Sequence, residues 1–121
     1  MPNPVTYFEL GGRDAAGLRD LYTELFGWNI DPMGESAAGS DFYFVKEEEG
    51  GICGGILQTV EDMPDNYMMF YVSVDDIQGY LDKAGEMGCT TVVPEMAIPN
   101  GNGQIAIFQD PQGNFIGLHK F

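Results

Sequence analysis

Two stretches of this chain, 62 residues apart, carry the same pattern of apolar and polar positions. Tyr7-Phe8-Glu9-Leu10 is strand-like and is followed by Asp14. It gives way to Leu18, Leu21, Tyr22, Leu25 and Phe26, the i, i+3, i+4, i+7, i+8 stripe of an amphipathic helix. Met69-Phe70-Tyr71-Val72 is followed in the same way by Asp76 and then by Ile77, Tyr80, Leu81 and Ala84. The helices close on Gly27 and Gly88, and Gly51 and Gly55 are answered by Gly113 and Gly117. Self-similarity on this scale predicts two copies of one supersecondary unit, neither of which buries its apolar face alone.

The local signals between these landmarks complete each unit. Val5 to Leu10 reads as a strand ended by Gly11-Gly12, with Asp14 capping a helix that stops at the left-handed Gly27. Trp28 to Ile30 begins a second strand, interrupted by Pro32 and a small-residue loop from Gly34 to Ser40. Phe42 to Val45 and Ile52 to Gln58 are strands around the turn Glu47-Glu48-Glu49-Gly50, and Thr59 to Asn66 is the connector. The second half repeats the order: strand Met68 to Val74, helix Asp76 to Met87, strand Cys89 to Val93. A loop with Pro94, Pro99 and Asn100-Gly101-Asn102 leads to a hairpin of Gln104 to Phe108 and Phe115 to His119. Its turn, Asp110-Pro111-Gln112-Gly113-Asn114, has strong turn chemistry. The order is βαβββ twice, an α+β chain of 1–121 forming a single domain with an internal repeat of 4–58 and 67–121.

Composition narrows the partners. Nineteen acidic against five basic side chains give a net charge of -14. Such a surface repels phosphate backbones, so nucleic acid is a poor partner, and a neutral or cationic ligand is favoured over a polyanion. The same acidity also fits a role in solubility alone. No apolar run is long enough to span a membrane, and Met1-Pro2-Asn3-Pro4 does not resemble a secretory leader, so a cytoplasmic protein without membrane partners is expected. Cys53 and Cys89 lack metal-site or redox spacing and read as buried free thiols. Phosphate loops, GxSxG elbows and HExxH motifs do not occur.

Three strings, in their order and spacing, carry a family resemblance. They are Tyr7-Phe8-Glu9-Leu10 before Asp14, Leu21-Tyr22-Thr23-Glu24-Leu25-Phe26-Gly27-Trp28, and Asp110-Pro111-Gln112-Gly113-Asn114-Phe115-Ile116-Gly117-Leu118. With the repeat, the chain resembles the vicinal oxygen chelate superfamily, which includes glyoxalases, bleomycin-resistance proteins and extradiol dioxygenases. The resemblance implies tandem βαβββ units forming an open curled sheet, whose concave face holds a divalent metal on histidine and glutamate ligands. Those ligand positions fall at Tyr7, Gly55, Met69 and Gly117, none of them a donor suited to a hard divalent cation, and the chain has one histidine. No metal ligand and no cofactor are therefore expected, a divalent metal being disfavoured. The resemblance also implies a homodimer.

Strand alternation extends the candidate face from these four positions. Ligand-binding candidates are Tyr7, Cys53, Gly55, Met69, Tyr71, Phe115 and Gly117, with Leu57 on the same face. Gly55 and Gly117 leave room for a ligand or mark bends in the sheet. Glu9 and His119 form the candidate proton-transfer pair, each one pleat from a ligand position. Trp28, Phe42, Tyr43 and Phe44 line either the pocket or the core. The functional expectation is a small-molecule-binding protein that sequesters a neutral or cationic organic compound. The alternatives are a lyase, isomerase or dioxygenase-like enzyme using Glu9 and His119, with or without a divalent metal, and a module with a vestigial cavity.

Overall fold

A computed structural model describes residues 2–36, 38–98 and 103–121. Its elements follow the repeated order: β1 (Val5–Gly12), α1 (Ala15–Phe26), β2 (Ile30–Glu35), β3 (Asp41–Val45) and β4 (Cys53–Gln58), then β5 (Tyr67–Ser73), α2 (Ile77–Glu86), β6 (Thr90–Ala97), β7 (Gln104–Gln109) and β8 (Phe115–Lys120). The class is α+β. Each helix begins the same way, because an aspartate just before it accepts an otherwise unpartnered N–H of the first turn. Asp14 accepts from Gly17 at 3.0 Å and Asp76 from Gly79 at 3.1 Å. Gly27 ends α1 at φ 71°, a left-handed conformation that costs glycine little, with its N–H on the Thr23 carbonyl at 2.9 Å.

The chain packs as two compact units: residues 7–68, and residues 69–121 together with the N-terminal segment through Thr6. In the first, the strand order is β2-β3-β4-β1, with β1 and β4 parallel and the other pairs antiparallel. In the second it is β5-β8-β7-β6, with β5 and β8 parallel. The core of the first unit joins Ala15, Tyr43, Val45 and Ile56 to Phe8, Leu18, Tyr22, Trp28 and Ile30. That of the second joins Val74, Ile77, Leu81, Ala106 and Leu118 to Val72, Tyr80 and Phe108.

Local chemistry sets the second unit's hairpin. The Asp110 carboxylate accepts from the backbone N–H groups of Gln112 and Asn114 and from the Asn114 amide, each at 2.9 Å. These donors favour the charged form and hold the carboxyl below the usual aspartate range, the Asn114 side chain most of all.

Several expected boundaries move. Gly11 and Gly12 continue β1 instead of ending it, paired with Leu57 and Gln58 of β4. The second strand begins at Ile30, not Trp28, and runs through Pro32, with a register irregularity between Pro32 and Glu35. Proline is tolerated there because β2 is the terminal strand of its unit's order, where a missing donor breaks no second ladder. β6 likewise passes through Pro94, with an irregularity between Val93 and Met96. α2 stops at Glu86, with Met87 as its C-cap. Of the expected loops, Pro99 and Asn100-Gly101-Asn102 lie outside the described residues, as do Ala37 and Met1. Among the described residues no helix is long and apolar enough to cross a membrane.

The matched caps yield an expectation about stability. Asp14→Ala and Asp76→Ala should each lower the unfolding free energy by about 1 kcal/mol, with Asn at either position retaining most of it. Urea denaturation reads this directly, and an unchanged midpoint for either alanine variant would contradict the capping role.

Candidate functional site

In the first unit, β1 and β4 run side by side, with Tyr7 opposite Cys53, Glu9 opposite Gly55 and Gly11 opposite Leu57. Alternation sends the side chains of Tyr7 and Glu9 to the face away from Phe8, which packs with the helix-side core. Gly55 lies on the Tyr7 face: a Cβ there would collide with the Tyr7 hydroxyl and the Phe42 ring. The room at Gly55 is thus taken by rings of the chain itself. In the second unit, Gly117 is covered in the same way by the ring of Tyr71.

Glu9 is the polar centre of the first unit's face. It is 7% exposed, and its carboxylate accepts a hydrogen bond from the Tyr67 hydroxyl at 2.6 Å. A charge-assisted bond of this length offsets part of the cost of burying a carboxylate. Tyr67 gains access because Gly11 has no side chain; a Cβ there would fall within the Tyr67 ring. Burial pushes the Tyr67 hydroxyl far above its ordinary pKa, and the Glu9 charge, the bond to Glu9 and nearby Tyr7 push it further the same way. Tyr7 is raised for related reasons, burial first, then the Glu9 and Cys53 charges. Both tyrosines therefore stay neutral donors at physiological pH. The Cys53 thiol is half-buried, and burial followed by the Glu47 carboxylate raises its pKa, which removes the thiolate a nucleophile needs.

Tyr67 also borders a cavity of about 500 Å³, together with Leu10, Gly11, Leu18, Tyr22 and Met68. Arg13, Asp14, Asp65 and Asn66 give this cavity its polar rim. Arg13 is held there by Asp65 at 3.0 Å and by the Met63 carbonyl at 3.2 Å, so its charge is largely committed. Tyr67 thus joins an acid and a cavity: its ring on the wall, its hydroxyl on Glu9.

The remaining predicted residues lie in the second unit. Met69, Tyr71 and His119 are buried there, and Phe115 is half-buried at the start of β8. His119 is 9% exposed, pairs in register with Ser73 and Ile105, and meets the Phe121 ring edge-on at 4.3 Å between centroids. The structure brings Tyr7, Glu9, Cys53 and Gly55 together in one unit and Met69, Tyr71, Gly117 and His119 in the other. Of the aromatic candidates, Tyr43 is core, Trp28 packs on Phe8 and Tyr22, and Phe42 covers Gly55. Tyr67 and Gly11 were not among the predicted residues. The available signal was Gly11 itself, two places beyond Glu9 on the same face, where a missing side chain makes room beside a buried acid.

The resembling positions Tyr7, Gly55, Met69 and Gly117 present a phenol, two glycines and a thioether, side chains that are poor donors for a hard divalent cation.

Comparison with known proteins defines the class. Residues 5–118 match the Glyoxalase/Bleomycin resistance protein/Dioxygenase superfamily, and the chain belongs to it. It is 26% identical to the anthracycline biosynthesis protein DnrV of Streptomyces peucetius over 93% of its own length and 45% of the relative's. The chain thus spans less than half the length of such curated relatives. Among solved structures, it is similar in fold to BH1468 from Bacillus halodurans C-125, with a TM-score of 0.77, 11% identity and coverage of 100% and 96% of the two chains. Methylmalonyl-CoA epimerase from Mycobacterium tuberculosis is also similar, with a TM-score of 0.74, 12% identity and coverage of 96% and 86%.

Two outcomes follow from the Tyr67–Glu9 geometry. Gly11→Ala should displace the Tyr67 ring and cost about 1–3 kcal/mol of stability by overpacking. Near-ultraviolet circular dichroism should report the moved tyrosine; a variant of wild-type stability with an unchanged spectrum would contradict the contact. The second outcome concerns pH. The folded pKa values of Tyr7 and Tyr67 exceed the unfolded value of 10.0, so the stability they contribute is complete below it and is lost as pH rises toward the folded values. Spectrophotometric titration should show these two phenols ionising only on alkaline unfolding, and ionisation of both in the folded protein near the ordinary value of 10.0 would refute this.

Proposed function

We propose that the protein binds a small organic molecule that is neutral or cationic, in the cavity bordered by Tyr67. The observation carrying this reading is the buried Glu9 carboxylate joined to the cavity wall through Tyr67. The Glu9 charge behind the Tyr67 wall favours a cation over an anion, and the rings of the wall add cation–π attraction for an organic cation. The rim adds Asp14 beyond the paired Arg13 and Asp65, and the overall charge of -14 draws cations toward the surface. The likeness to an anthracycline biosynthesis protein supports an organic ligand over an inorganic one.

A second reading uses the same carboxylate as a base. Glu9 would take a proton from a carbon next to a carbonyl group and return it to another position of the same molecule, giving a lyase or isomerase. The buried carboxylate beside a neutral phenol favours this reading, and proton transfer by Glu9 is what separates it from simple sequestration. Both readings operate without a bound divalent metal, as the phenol, glycine and thioether at the resembling positions imply. Association into a homodimer is also proposed, with α1, which exposes Leu21, Leu25 and Phe26, as an apolar surface available for pairing.

Thermal melting tests the binding reading with phenethylamine and 2-phenylethanol as probes. Both should raise the melting temperature, since a ligand of the folded state must stabilise it, and Glu9→Gln should abolish the phenethylamine shift. No shift with either probe, or a phenethylamine shift unchanged in Glu9→Gln, would overturn it. As for the metal, protein purified without added metal should carry far less than one equivalent of zinc, manganese, nickel or iron, and a chelator should leave its melting temperature unchanged. Stoichiometric metal lost with Glu9→Ala would reverse that conclusion.

A further inference from the structure

The two halves differ where each helix meets its sheet. In the first, Tyr22 and Trp28 fill the wedge beside Phe8. The Tyr22 and Trp28 centroids are 5.4 Å apart and those of Phe8 and Trp28 5.6 Å. The 62-residue repeat puts Ala84 at the position of Tyr22, and Cys89 follows Gly88 as Trp28 follows Gly27. The second unit has a groove of about 340 Å³ beside Ala84, walled by Val72, Val74, Ala84, Phe108, Ile116 and Leu118. Met87, exposed at the end of α2, forms part of its lip.

The polar groups of this groove are Asn3, Tyr80 and Lys83. The Asn3 amide donates to the Tyr80 hydroxyl oxygen at 2.9 Å, which leaves the phenol proton for another acceptor. Lys83 is exposed and takes no part in the Arg13–Asp65 and Arg19–Asp20 ion pairs. An apolar trough with an ammonium and a phenolic donor at its edge is complementary to an apolar molecule ending in an acceptor.

We propose that this groove binds a medium-chain carboxylate, its hydrocarbon tail against the apolar walls and its carboxylate between Lys83 and the Tyr80 hydroxyl. The volume is at the low end of the range for small-molecule sites, which suits a chain of octanoate size. An alcohol could use the same donors but would gain no charge-assisted bond, and an ammonium head would meet Lys83 with the wrong sign. The acidity of the chain opposes an anion at long range, but salt screens that field beyond about 8 Å, whereas the head group meets Lys83 at contact. This site lies in the other unit from Glu9 and takes the opposite charge, so it stands independently of the proposed function.

Calorimetric titration of the full chain in physiological salt with octanoate, 1-octanol and octylammonium tests it. One saturable octanoate site per chain is expected, at least about tenfold tighter than for octylammonium. Lys83→Glu, an exposed change that leaves the walls intact, should weaken octanoate about tenfold and spare octanol. Ala84→Phe refills the wedge and should weaken octanoate and octanol together while leaving the phenethylamine response unchanged. Absence of saturable octanoate binding, or binding that survives both substitutions at full strength, would overturn the proposal.

Discussion

A glycine within a strand, lying under an aromatic ring, is the contact on which the site depends. Gly11 lies under Tyr67, Gly55 under Tyr7 and Phe42, and Gly117 under Tyr71, while on the helix side Gly54 lies under Phe8. A Cβ at any of these four would overlap the ring. Glycine weakens a strand because it has no side chain to pack and more freedom to lose on folding. Here the loss is offset by the area of ring laid against the backbone, since aromatic side chains bury more surface than any others. The result is a sheet face padded with phenols, the neutral hydrogen-bond donors that a buried acid needs.

That acid exists in one half only. Shifted by 62 residues, Glu9 falls on Tyr71 and Tyr67 on Val5, so the second unit repeats the strands without repeating the carboxylate or its donor. The helix-side wedge differs too, with two rings in one unit and an alanine and a cysteine in the other. The two halves share features that determine the backbone: the capping aspartates Asp14 and Asp76 and the mid-strand glycines Gly55 and Gly117. The surfaces proposed to bind ligands differ, an acidic aromatic site in one unit and an apolar groove edged by lysine in the other.

Much of this was legible in the sequence because it depends on local rules. Helical periodicity, the aspartate caps at Asp14 and Asp76 and the Asp110 turn each act over a few residues, and the structure has them where the pattern put them. Superfamily membership was legible for the same reason: its strings are the strand, helix and turn signals in fixed order. Proline and glycine were read too strictly as strand breakers at Gly11, Pro32 and Pro94. Sheet context overrode them, with a terminal strand tolerating one proline and a register irregularity accompanying another. At the site, alternation placed Tyr7, Glu9, Cys53 and Gly55 on one face. Tyr67 was invisible, because its contact with Glu9 joins residues 58 positions apart and the repeat offers only Val5 as its counterpart. A phenol at the end of a connector carries no local mark of what it will touch.

The pairing of Tyr67 with buried Glu9 is the claim on which the functional reading turns, and proton nuclear magnetic resonance observes it most directly. A hydroxyl donated to a sheltered carboxylate at 2.6 Å should give a downfield, slowly exchanging proton with cross-relaxation to the Tyr67 ring. That signal should vanish in Tyr67→Phe and move in Glu9→Gln, where a neutral amide replaces the charged acceptor. A Tyr67 hydroxyl that exchanges freely with water and is indifferent to Glu9→Gln would contradict the account.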